Sequence, residues 1–191
     1  MIRNLASGVQ AFTSNVFLCD GDRRALVDAG NDFDVVGRTL EYVDVVDVVA
    51  LTHTHPDHVG ELTAIRDTFE PSVVAFDGEF DGVDREIGDG DTIALGDAEY
   101  EVLHTPGHKE DHCCFYAREA GVLFAGDLVF GGGSFGRTDL QGADRGTLID
   151  SIDRLLDVVD EDLAAMYTGH GPAVTDRPYQ DIELAAQAAR F

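Results

Sequence analysis

Continuous apolar runs alternate along the chain with segments in which apolar residues recur every three to four positions, and the two periods predict strands and helices respectively. Runs at Ala11–Cys19, Arg24–Asp28, Val46–Thr52, Ser72–Phe76, Tyr100–Leu103, Cys113–Ala117, Val122–Ala125 and Ala165–Tyr167 predict strands. Several are apolar throughout instead of alternating, the pattern of a strand covered on both faces. Helical periodicity marks about Phe33–Tyr42, Val59–Phe69, Gly146–Val159 and Tyr179–Arg190. In the second of these, Val59, Leu62, Ile65 and Phe69 form one stripe; in the third, Leu148, Ile152, Leu155, Leu156 and Val159 do the same. Sheet segments punctuated by amphipathic helices imply a layered α/β domain. Nothing resembles a linker, a repeat or a low-complexity tract, and 191 residues suit a single domain spanning 1–191.

Composition narrows this picture. With 44% hydrophobic and 26% charged residues, the chain can build a core and is not disordered. It has no run of the ~20 apolar residues a spanning helix needs and no basic segment leading into an apolar one at its start, so the reading is cytoplasmic, without membrane contact. Cys19, Cys113 and Cys114 are odd in number and lack the two-residue spacing of redox or zinc pairs, which points to reduced thiols. Thirteen Lys+Arg against 37 Asp+Glu give a net charge of −24. A protein that grips phosphates needs cations, and Lys109 is the only lysine, so nucleic acid is excluded as a partner. The acids are densest over residues 77–91, where Arg85 is the only cation. An acid-rich, lysine-poor surface resembles halophilic proteins, whose self-repulsion is screened by high salt. No signal for an oligomer stands out.

The chemistry concentrates in Thr52-His53-Thr54-His55-Pro56-Asp57-His58, directly behind an apolar strand. Pro56 stops the strand and leaves Asp57 and His58 at the start of the next helix, so His53, His55, Asp57 and His58 can converge from a turn. Burying such groups costs several kcal/mol unless they are paired or metal-bound, which favours metal over packing. His108, Asp127 and His170 each follow a predicted strand and sit beside glycine, which permits tight turns. Taken singly, each would be ordinary. Together, seven nitrogen and oxygen donors at strand ends exceed the four of a closed zinc site and fit two adjacent metals sharing a bridging group.

The His-x-His-x-Asp-His signature at residues 53–58, followed by a histidine after Thr105-Pro106-Gly107, an aspartate after Gly126 and a histidine in Gly169-His170-Gly171, resembles the metallo-β-lactamase superfamily. The resemblance covers the chain from about Asp28 to His170. It implies a four-layer αββα sandwich, two mixed β-sheets flanked by helices, with the metals at one edge of the sheets. It further implies His53, His55 and His108 as ligands of one metal, Asp57, His58 and His170 of the other, and Asp127 as the bridging carboxylate. Asp28, in Val27-Asp28-Ala29-Gly30, matches an early aspartate that supports the metal loop from behind. Within the superfamily the chain is similar to glyoxalase II and its short relatives, through Gly126-Asp127-Leu128-Val129-Phe130, Gly133–Leu140 and Gly169-His170-Gly171-Pro172. The 21 residues after His170 have room for one helix and not for the helical domain that binds glutathione in full-length glyoxalase II. The resemblance is therefore to the short form, and the thiol carrier stays open.

What the likeness implies is hydrolysis of a small thioester. Bound metal lowers the pKa of water from ~16 to about 7, giving a hydroxide nucleophile without a serine or cysteine. Asp57 would orient that hydroxide as well as ligate, and Arg137 is the candidate for holding a substrate carboxylate, against the alternative of a surface arginine paired with an acid. Two divalent ions are expected, zinc first, with iron and manganese suited by the same donors. His112, just before a predicted strand, is a further candidate for the pocket, and His104 for the core. A rival reading on the same fold is a persulfide dioxygenase, which binds one iron through two histidines and an aspartate, here His53, His108 and Asp127. Lactonase or β-lactamase chemistry is a third, and a non-catalytic or redox diiron domain a fourth.

Overall fold

All residues, 1–191, are described in the computed structural model. They fall into two compact units, residues 1–87 with 93–99, and residues 88–92 with 100–191.

In the first unit, strands β1 (Ile2–Asn4), β2 (Phe17–Cys19), β3 (Ala25–Val27), β4 (Val48–Ala50), β5 (Ser72–Ala75) and β6 (Arg85–Glu86) form a sheet in chain order. β1, β2 and β3 pair antiparallel, and β3, β4, β5 and β6 pair parallel, so the sheet is mixed. Parallel neighbours need a crossover. Helix α1 (Val35–Leu40) supplies it between β3 and β4, and α2 (Pro56–Val59) with α3 (Leu62–Phe69) between β4 and β5. The side chain of Asp34 caps α1 by accepting the Gly37 N–H at 2.8 Å. Every residue of β2, β3 and β4 is buried, as their unbroken apolar runs require. Leu26, Val49 and Val73 lie opposite one another across three strands and pack with Leu18, Leu51 and Ile65. This rigid centre holds the segment that follows β4.

A hairpin of β7 (Thr92–Leu95) and β8 (Ala98–His104) turns through Gly96, whose φ is 65°, and leads into the second unit. There, β9 (Cys113–Ala117) and β10 (Val122–Gly126) pair antiparallel, and β10 pairs parallel with β13 (Ala165–Thr168). The sheet order is β13-β10-β9-β8-β7. A small ribbon of β11 (Val129–Phe130) and β12 (Ser134–Phe135) follows β10. Helices α4 (Arg145–Val158) and α5 (Pro178–Ala188) contribute Leu148, Ile152, Leu155 and Ile182 to a core with Leu103, Tyr116, Leu123 and Met166. Asp144 caps α4, accepting from the Thr147 N–H at 2.7 Å, and this hydrogen bond holds its carboxyl below the usual range.

The architecture is the expected one, two mixed β-sheets flanked by helices. Differences lie at polar or interrupted places. The predicted strand Ala11–Cys19 narrows to Phe17–Cys19. The stripe Val59–Phe69 spans two helices, α2 and α3. β1 and β6 escape the pattern because Arg3, Asn4, Arg85 and Glu86 carry no apolar period, and β7, β11 and β12 because they are only two to four residues long. No helix is long and apolar enough to cross a membrane.

Candidate metal centre

In the first unit the histidine loop is a strand-to-helix turn. His55 is the last extended residue (φ −71°, ψ 147°), and Pro56 opens α2, where its missing N–H costs nothing. Asp57 and His58 therefore fall in the first helical turn, and the His58 N–H bonds back to the His55 carbonyl at 2.9 Å. His53 Nε2 and His55 Nδ1 come within 2.9 Å, the His53 and His58 rings lie 4.0 Å apart, and His58 Nε2 is 3.9 Å from Asp57 Oδ2. His53, Asp57 and His58 are buried.

Behind this loop, at the end of β3, Asp28 adopts a left-handed backbone (φ 62°) that an aspartate tolerates better than most residues. Its buried carboxylate accepts from the Thr52 N–H (2.8 Å), the Thr52 hydroxyl (2.8 Å) and His58 Nδ1 (2.9 Å). Those donors offset the cost of burying the charge. They also place the His58 proton on Nδ1, so Nε2 is the nitrogen with a lone pair on the Asp57 side. Gly60 keeps α2 against β3: a Cβ there would lie 2.1 Å from Asn31 Oδ1.

In the second unit, His108, Asp127 and His170 converge. Asp127 follows Gly126 (φ 49°) at the end of β10, and its Oδ2 lies 3.5 Å from His108 Nε2 and 3.4 Å from His170 Nε2. His108 donates from Nδ1 to the Arg137 carbonyl at 2.9 Å, which turns its Nε2 towards the carboxylate. His170, at the end of β13, is the more open, its side chain 38% exposed. The backbone around them is pinned: Gly169 N–H bonds to the Gly126 carbonyl at 2.7 Å. Gly107 (φ 127°) could carry no Cβ, because it would lie 2.3 Å from the Leu148 N. At Gly136 a Cβ would lie 2.0 Å from the Asp127 carbonyl oxygen.

His112 has a role that its place in the sequence did not disclose. It is fully buried, and its Nε2 accepts the Asp127 N–H at 3.0 Å. Its Nδ1 lies 3.1 Å from the Thr105 carbonyl, which can only accept, so the proton sits on Nδ1 and the ring is neutral. His112 thus grips the backbone of Asp127; no spacing signal marks it. His104 braces the same region, its Nε2 on the Glu110 carbonyl at 2.8 Å. The Arg137 guanidinium forms a bidentate pair with Asp139 at 2.9 and 2.7 Å, both side chains 68% exposed. None of the three cysteines is in a disulfide and all are buried, and burial pushes the Cys19 and Cys114 thiols up to about 12, far from a nucleophilic thiolate.

Each half of this donor set is imidazole and carboxylate, the chemistry that zinc, iron and manganese accept. Two imidazole nitrogens 2.9 Å apart, as in His53 and His55, share a proton or face a cation. Two Nε2 atoms about one carboxylate oxygen, as at Asp127, suit a carboxylate that contacts more than one ion.

A family model described as the Metallo-beta-lactamase superfamily matches residues 9–81 and 75–170. A hydroxyacylglutathione hydrolase of Klebsiella pneumoniae is 34% identical over 136 residues, covering 68% of this chain and 53% of its own. The chain thus spans about half the length of that relative. Hydroxyacylglutathione hydrolase GloC of Haemophilus influenzae is 31% identical over 192 residues, covering 87% of this chain and 90% of its own. Among solved structures, TTHA1623 in a di-iron-bound form superposes with a TM-score of 0.74 at 28% identity, covering 94% of each chain.

Proposed function

Because the chain belongs to the metallo-beta-lactamase superfamily, a superfamily of metallo-hydrolases, we propose that it hydrolyses a small thioester with two divalent metal ions, acting as one domain over residues 1–191. The observation that carries this reading is the pair of imidazole Nε2 atoms, 3.5 and 3.4 Å from a single oxygen of Asp127. In this proposal His53, His55 and His108 hold one ion, Asp57, His58 and His170 the other, and Asp127 both. Support comes from the order and spacing of the seven residues, from the donor types, and from the geometry within residues 53–58 and about Asp127. When bound, the ions supply Lewis acidity that lets water attack at neutral pH and offsets the negative charge developing on the carbonyl oxygen. Zinc is the proposed metal.

The chain's own residues do the rest. Asp57, in the first turn of α2, orients the attacking water. Asp28 fixes the proton of His58 on Nδ1, and the Arg137 carbonyl and His112 fix His108 and Asp127. Cys19 and Cys114 are held as thiols and do not attack. A thiolate leaves readily, because thiols ionise near pH 8.5 in water. Arg137 receives a substrate carboxylate by exchanging its exposed partner Asp139. The names of the Klebsiella and Haemophilus relatives support a hydroxyacyl thioester as substrate. We place the protein in the cytoplasm, consistent with its free thiols, and assign its net charge of −24 to work at high salt.

The test is turnover of a thioester panel by the zinc-, manganese- and iron-loaded protein, run beside oxygen uptake on a persulfide. Thioester hydrolysis without oxygen uptake is the expected result. Oxygen uptake with iron and no hydrolysis would replace this reading with the dioxygenase.

A further inference from the structure

We infer that the depression bounded by Phe130, Gly132, Ser134, His170, Gly171 and Pro172 seats the apolar end of the substrate. This rests on the thioesterase reading and deepens it to a substrate class. The cavity measures about 490 Å³, room for a short aliphatic chain. On a chain with 37 acidic residues, its lining holds no acid and no arginine or lysine; the imidazole of His170, a proposed metal ligand, is its one titratable group.

The polar groups of the lining loop are already engaged within the protein. The Ser134 hydroxyl donates to the Gly131 carbonyl at 3.1 Å, and the Gly132 N–H donates to Asp181 Oδ2 at 2.9 Å. A polar or anionic group here would find few partners in the lining, and the nearby Asp181 carboxylate would repel an anion. An aliphatic chain pays no such cost and gains from leaving water. The Phe130 ring centre lies 6.3 Å from that of His170, so the apolar wall runs up to the residue proposed to hold metal. The depression is preformed. Gly132 (φ 72°), Gly133 (φ 77°) and Gly171 (φ 79°) hold turns that other residues rarely adopt. At Gly133 a Cβ would lie 2.6 Å from Leu184 Cβ, so the loop is seated closely on α5.

Two series of thioesters of the metal-loaded protein test this: acyl groups from acetyl to hexanoyl on N-acetylcysteamine, and acetyl esters of alkanethiols from ethyl to hexyl. The expected result is a kcat/KM that rises about threefold per methylene in one series, which identifies the end that is seated. Ser134→Trp, which fills the depression, should flatten that rise and penalise the longest ester most. Turnover that is flat in both series would overturn the pocket and leave the thioesterase reading standing. No turnover of any ester would contradict the thioesterase reading. The pocket is then decided by binding alone, from the backbone amide shifts of Gly132 and Gly171 on titrating the hexyl thioether of N-acetylcysteamine. Shifts with the hexyl and not the methyl thioether support it, and none with either overturns it.

Discussion

At the end of β10, Asp127 offers one carboxylate oxygen to two imidazoles while its amide is held by a third. Replacing it by alanine should remove metal and activity together, with metal content falling by at least half; an active, fully loaded Asp127→Ala protein would contradict its bridging role. His112→Ala tests the support behind it. The change leaves the buried Asp127 N–H without its acceptor, at a cost of about 1–3 kcal/mol, and should weaken metal retention by roughly tenfold or more. Chelator competition and thermal unfolding read the two effects separately. The metal loop was legible in the sequence because packing alone seldom places four donors within six residues. His112 was not, since its role comes from a main-chain amide 15 positions away in sequence, just past the end of β10. The contact of Arg137 with His108 was hidden for a similar reason: a backbone carbonyl makes it, and a carbonyl leaves no mark in a sequence.

Elements succeed here through the turns between them. Gly107 lets the segment after β8 approach α4 so closely that a methyl group would meet the Leu148 backbone. Gly107→Ala should therefore destabilise the protein by about 2–4 kcal/mol, seen as a fall in melting temperature, and should disturb His108 as well. A second test concerns α3, where Arg66 bonds the Asp84 carboxylate at 2.8 and 3.0 Å and Asp84 accepts the Val73 N–H of β5 at 2.8 Å. The Arg66 side chain, and after it the Val73 amide, hold the Asp84 carboxyl below the usual range. A lowered folded pKa stabilises the protein above the ordinary aspartate value near ~3.9, and that stability is lost as pH falls through the lowered one. Asp84→Asn should therefore melt lower than the parent at pH 7, and the gap should begin to narrow as pH falls below about 4 and close below the lowered value; a gap that persists unchanged would deny the pair its part. The apolar runs that became β3, β4, β5, β9 and β10 were legible because each is buried along nearly its whole length. Polar β6 and the broken helix at Gly60 were not. Their geometry follows from strand pairing and from the crowding of Gly60 against Asn31, neither of which is written in local periodicity.

For the whole molecule, the net charge of −24 sets its response to solvent. Between 0.01 M and 1 M salt the screening length shrinks from ~30 Å to ~3 Å, so the repulsion among surface carboxylates should fade and the melting temperature rise by several degrees. An unchanged melting temperature across that range would remove the assignment to high salt. A layered α/β domain was legible from the alternation of periods along the chain, and the superfamily, with the two mixed sheets its resemblance implies, from the metal signature. The choice of substrate was not, because it depends on pocket walls such as Phe130 and Ser134, which carry no motif. The measurement that bears most directly on the central claim is anaerobic metal analysis of the purified protein, paired with thioester hydrolysis. About two ions per chain, falling together with turnover in Asp127→Ala, is the predicted result. A single iron per chain, with oxygen uptake on a persulfide and no thioester turnover, would contradict it and exclude His58 and His170 as ligands.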